Sequence, residues 1–235
     1  MRDEQSTAEQ RNLPIMTGQS TMSQAAWLMA SPAIVLTFLA VSLDLPVLLI
    51  GAFVSIRQFG AALGHIFLYG YLSRVQRRKF FLSMTDLALA MSFVLAIAAS
   101  LYGSLTVTIV AFVIVTFMIG LIGLIGEVQT LILIDFISDN LLSKSRMRMR
   151  YSQMAFGGLI AIALTWVAHE LTLILEPLHR HAIVITIGIV CFLLAAFFIL
   201  AVRDIGKNVV SDVAPTRSPV KSLSTYWHNV QSMWA

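Results

Sequence analysis

The chain has 235 residues, of which 58% are hydrophobic and only 12% charged, against about 45–50% and about 25% for a soluble domain. With a mean hydropathy of +0.84 it carries too little polar surface to cover a soluble core, so a water-soluble globular domain is excluded. The formal charge of +4 is dispersed in the segments between apolar runs, which argues for membrane topology and against nucleic acid as a partner.

The reading is an all-α membrane protein whose first partner is the lipid bilayer. The apolar runs reach the roughly 20 residues that a helix needs to cross a bilayer, and lack the alternation of a β-barrel. Residues 1–24 are polar and mixed in charge, and are expected to be a cytosolic N-terminal tail. Residues 25–203 are expected to form a six-span bundle. Span one covers about 25–43, with Pro32 near its start; span two follows over 45–73 after the short turn Asp44-Leu45-Pro46.

Arg74, Arg77, Arg78 and Lys79 close span two as a basic loop. Span three runs over 80–102 and span four over 105–134, with a turn at Gly103-Ser104 between them. Lys144, Arg146, Arg148 and Arg150 form a second basic loop before span five, 151–175, and span six, 182–202. Lys and Arg number four after span two, none after span three, four after span four and one after span five. That alternation predicts both basic loops on the cytoplasmic side, with both termini there as well. Residues 204–235 read as a linker followed by an amphipathic interfacial helix, with Leu223, Trp227, Val230 and Trp234 on one face.

Four ionisable groups, Arg57, His65, Asp86 and Glu127, stand out inside the spans, whereas His169 and Glu170 lie near the end of span five. Arg57 sits about halfway along span two, where a charge is costly and normally finds a partner; it either binds a solute or anion, or locks two helices through an ion pair. His65 and Glu127 each stand eight residues from the inner end of their span, so at 1.5 Å per residue both lie roughly 12 Å from that edge. Asp86, early in span three, joins the same layer. A histidine and carboxylates at one depth suit a proton relay, a pairing with Arg57, or satisfied interhelical hydrogen bonds.

Gly60 and Gly64 on span two, and Gly120, Gly123 and Gly126 on span four, recur at three- or four-residue spacing and are expected to let helices approach closely. Trp27 and Trp166 read as interfacial anchors, and Cys191 as a small apolar residue. The sequence contains no nucleophile elbow, phosphate-binding loop, dinucleotide fingerprint or clustered Cys/His spacing, so no catalytic residue, metal or cofactor is expected. An enzyme is not the expected reading.

Around the first basic loop, Gly70, Leu72, Arg77, Arg78 and Lys79 resemble the loop between spans two and three of the major facilitator superfamily. Arg74 or its neighbour stands where that family carries an acid. Ile56, Arg57 and Gly60 in span two, with the basic Lys144–Arg150 segment, are similar to a bacterial subgroup of the family. The resemblance implies one six-helix half of a permease, built from two inverted three-helix repeats. A small-molecule solute would bind near the midplane against a second six-helix half, either another copy or a separate chain. It also implies a bacterial inner-membrane location, with spans one and four lining the cavity, which favours Glu127, and spans two and five meeting the other half. The rival expectation is a membrane subunit or scaffold that keeps the half-fold without transporting.

Overall fold

Runs of Leu, Ile, Ala, Phe and Met without interior helix breakers propagate as helices once their apolar faces find one another. The computed structural model describes residues 2–31, 47–68, 75, 77–106 and 108–202, and within these it is all-helical. Six α-helices follow in order: α1 Arg2–Met29, α2 Val47–Leu63, α3 Arg78–Thr106, α4 Thr108–Asn140, α5 Ser143–Thr172 and α6 Pro177–Ala201. A five-residue π turn, Gly64–Leu68, continues α2. Four of the helices are long and apolar enough to cross a membrane, over Arg78–Ala99, Val113–Asn140, Lys144–Glu170 and His179–Ala201. The remainder of spans one and two, Arg74 and the segment 204–235 lie outside the described residues.

Several boundaries differ from expectation, each for a physical reason. Residues 2–24, expected as a cytosolic tail, form most of α1, which from Asn12 onward is packed into the bundle. Hydropathy misses this because it scores side chains without their partners. Gln19, Ser20, Thr21 and Ser23 are all buried, and a buried polar group is tolerable where a hydrogen bond replaces water. Pro14 interrupts the backbone ladder on the exposed side of α1, where water replaces the lost bond.

The second basic loop is likewise helical. Lys144, Arg146, Arg148 and Arg150 occupy the first turns of α5, and the chain reverses at Leu141-Leu142. Lys, Arg and Met are good helix formers by propensity, and Met149 is buried on the inner side of the helix. Arg78 and Lys79 similarly begin α3. That helix continues through Gly103-Ser104 to Thr106, so the expected turn there is absent. At 33 residues α4 would measure about 50 Å, longer than the hydrocarbon core. It runs past Ile134 to Asn140, and α6 starts at Pro177 rather than Ala182, since proline suits a first helical position.

Residue contacts give the direction of each pairing. α1 lies antiparallel to α6, with Gly18 against Phe198 and Ala30 against Gly188. It lies parallel to α5, where Glu9 accepts from the Leu142 N–H and Gln153 donates to Gln24. α2 is parallel to α4, Arg57 facing Gly123 and Gly64 facing Leu124. α3 is antiparallel both to α4, through Gln129 and Asp86, and to α6, where the Ser83 hydroxyl donates to the Ala196 carbonyl.

Two apolar clusters fill the interior. One joins Ala26, Phe53, Leu89, Phe93, Ile122 and Phe192; the other joins Met16, Leu82, Ile132, Phe136, Met149 and Ile199. Burying such side chains gains about 1.5–3 kcal/mol each in water; inside lipid the same contacts act through packing instead. Along α1 and α3 the polar residues Gln19 and Asp86 fall between the members of the two clusters, while on α4 Gln129 stands within the second, between Val128 and Ile132; all three are buried.

Candidate functional site: a buried polar layer and the cleft beside it

Trp27 is the centre of the site and is not the interfacial anchor that its position suggested. Its ring stands edge-on to Phe192 at 5.5 Å and to Phe93 at 6.5 Å, while Phe93 and Phe192 stack at 5.9 Å. A glycine at 126 makes room for it: a methyl group there would stand 2.8 Å from the Trp27 ring. The indole N–H donates to Gln129 Oε1 at 3.3 Å. The Gln129 amide in turn donates to Asp86 Oδ1, so the glutamine spends both ends of its side chain linking α1 to α3 through α4. Trp166, by contrast, is exposed on α5.

Asp86 and Gln19 are each wholly buried, and Gln19 lies beside Asp86. Gln19 and Gln129 are both hydrogen-bond partners of the Asp86 carboxyl, which gives the buried acid polar company in place of water.

Arg57 reaches this layer from the other side. Its guanidinium carbon lies 5.5 Å from the centre of the Trp27 ring, a cation–π contact, and its Nε is buried without a hydrogen-bond partner. The expected ion pair to a span carboxylate does not form among the described residues: Asp86 is engaged by Gln129, and the ring takes the cation instead. A desolvated cation over an indole face gains about 2 kcal/mol, which offsets part of the cost of placing the charge.

His65 and Glu127 do meet. His65 Nδ1 and Glu127 Oε1 are 3.1 Å apart, at the seam where the π turn of α2 crosses α4. Two of the four ionisable groups of the sequence reading are thus brought together, while Asp86, on α3, meets Gln129 on α4. The glycines set how close these helices come. A methyl group at Gly60 would stand 2.0 Å from the Gly120 carbonyl oxygen, and one at Gly123 would stand 2.1 Å from that of Arg57. Gly64 lies against Leu124 and Glu127, and Gly120 against Ile56.

Of the basic residues, Arg78 is bound to Asp139 and lies 3.7 Å from Asp135 at the far end of α4. Lys79 donates to the Val202 carbonyl at 3.1 Å. Arg77, Lys144 and Arg148 are exposed. Arg146 and Arg150 face a cleft of about 430 Å³ between α1, α4 and α5, whose inner wall carries Trp27, Gln24, Gln129 and Gln153. Among the described residues no three His, Cys, Asp or Glu side chains gather as a metal site.

Sequence reasoning missed Gln19, Gln129 and the cleft. The available signal was the run of hydrogen-bonding side chains from Gln19 to Gln24, and a lone glutamine two residues after Glu127 in an otherwise apolar span. Compared with known proteins, the chain matches no protein-family model, no curated protein and no solved structure.

Proposed function

We propose that this chain is one half of a secondary transporter of the major-facilitator type, moving a small solute by alternating access in a bacterial inner membrane. The observation that carries the reading is a symmetry in the packing. Exchange α1 with α4, α2 with α5 and α3 with α6, and the α1–α6 pairing becomes α4–α3, the α1–α5 pairing becomes α4–α2, and the α3–α6 pairing maps onto itself. Parallel pairs map to parallel and antiparallel to antiparallel. Two units of three helices explain that pattern, and an odd number of spans per unit turns the second upside down relative to the first.

Two further features support it. The buried layer of Trp27, Asp86 and Gln129, with Arg57 over the indole, puts polar chemistry at a depth where it is costly unless used. Both α2 and α5, equivalent under the exchange, bear large exposed apolar side chains, among them Phe59, Ile66, Tyr151 and Leu159. Those faces suit a second six-helix half, either another copy or a separate chain. His65–Glu127 and Asp86 are the groups for proton coupling, and both termini lie in the cytoplasm in this reading.

Uptake into proteoliposomes tests it. Solute flux driven by a proton gradient and abolished by Glu127→Gln is the expected result. A folded chain that sustains no flux, alone or with a copurifying partner, would instead identify a non-transporting membrane subunit.

A further inference from the structure

We infer that the cleft between α1, α4 and α5 binds a small organic anion bearing further polar groups, its carboxylate or phosphate held by Arg146 and Arg150. This rests on the transporter reading only for its role; the binding site itself rests on geometry. Arg146 and Arg150 are four residues apart on one face of α5 and both line the cleft, which no Asp or Glu lines among the described residues. Like charges at that spacing repel by a few tenths of a kcal/mol on a helix, and an anion between them removes the repulsion. Guanidinium groups hold carboxylate and phosphate oxygens through paired N–H bonds.

Among the described residues no ion pair reaches Arg146 or Arg150. Arg146 Nε donates to the Leu141 carbonyl at 2.9 Å, which fixes the side chain without neutralising it. Asp135 and Asp139 turn to Arg78 instead. The two arginines also stand on the first two turns of α5, whose free N–H groups favour negative charge.

The rest of the lining decides what kind of anion fits. Gln24, Gln129 and Gln153 offer amides beside the apolar Leu133, Ile137 and Met149. Hydroxyl or amide groups of a compact solute meet the former, and its carbon skeleton the latter. A volume of about 430 Å³ is that of a small-molecule site.

Calorimetry on the purified, detergent-solubilised full chain tests the assignment with glycerol 3-phosphate, citrate and N-acetylglutamate as probes, and glycerol and N-acetylglutaminamide, which has no free carboxyl group, as uncharged counterparts. The expected result is saturable binding of at least one anion and of neither counterpart. Binding weakens about 10- to 100-fold in Arg150→Gln, the loss of one charge-assisted bond. It returns in part with Arg150→Lys and is unchanged in Arg148→Gln, whose side chain is outside the cleft; circular dichroism confirms that each variant is folded. The inference is overturned if no probe binds, if the neutral counterparts bind equally, or if the same arginines respond only to phosphatidylglycerol over phosphatidylcholine in nanodiscs. Flux of a cation or neutral solute without anion binding would reject the inference and leave the transporter reading standing; anion binding without flux would do the reverse.

Discussion

Replacing Gly60 by alanine tests whether the α2–α4 seam depends on backbone-to-backbone approach. The new methyl carbon would stand 2.0 Å from the Gly120 carbonyl oxygen. Carbon and oxygen rest at about 3.3–3.6 Å, so the helices must part by more than an ångström. The obstacle is backbone, not a side chain that can swing aside. A gap of 0.5–1 Å already forfeits about a quarter to a half of each van der Waals contact, and over-packing of this kind costs about 1–3 kcal/mol. The alanine recovers up to about 1 kcal/mol of helix propensity, leaving a net loss of about 1–2 kcal/mol.

Gly51 and Gly158 provide the internal control, because a methyl group at either meets nothing within 4 Å. Gly51→Ala and Gly158→Ala should stabilise the protein by about 0.5–1 kcal/mol, opposite in sign to Gly60→Ala. Unfolding by titration with dodecyl sulfate in mixed micelles reads all three. Gly60→Ala combined with Gly123→Ala should cost less than the sum, since the first substitution has already separated the helices. A Gly60→Ala protein as stable as Gly158→Ala would refute the close approach and the proximity of His65 and Glu127 that follows from it.

The buried layer makes a second non-additive prediction. Gln129→Leu strands both Asp86 and the Trp27 N–H and should cost about 2–4 kcal/mol, whereas adding Asp86→Leu should restore part of that loss, because removing both partners leaves fewer orphaned groups. Chemical denaturation of the single and double variants measures the difference. Trp27→Phe keeps the aromatic packing but loses the bond to Gln129 and the better cation–π face; it should destabilise by about 1–2 kcal/mol, and an unchanged midpoint would argue against the contact with Arg57. Arg78→Ala should cost no more than about 1 kcal/mol, since Asp135 and Asp139 are half exposed, and a double-mutant cycle with Asp139→Ala isolates the coupling. In a Cys191→Ser background, Arg77→Cys and Arg148→Cys should react with an impermeant maleimide from the same face of the membrane. Labelling from opposite faces would invalidate the alternation of spans.

Composition and the lengths of the apolar runs sufficed for the helical class and for the helices near residues 80–102, 105–134, 151–175 and 182–202, because uniform apolarity over such lengths has few other outcomes. Counting rise per residue put His65, Asp86 and Glu127 in one layer, because it converts position into depth, but it did not say which of them meet. Glycine spacing pointed to the α2–α4 seam for the same reason: three- and four-residue repeats lie on one face of any helix. Helix limits at charged segments were not legible, as at Lys144–Arg150, because a run of cations reads as a loop unless its neighbours are known.

What depth and periodicity leave open is azimuth, the direction in which each helix turns its faces. Asp86 faces Gln129 and not Arg57, Arg57 rests on Trp27 and not on a carboxylate, and Gln19 is buried and not in solution. Each depends on which helices meet and at what rotation. A one-dimensional pattern encodes how far a residue lies along its helix, while the neighbour that satisfies its charge or hydrogen bond comes from residues 30 to 102 positions away, brought there only by the packing of the bundle.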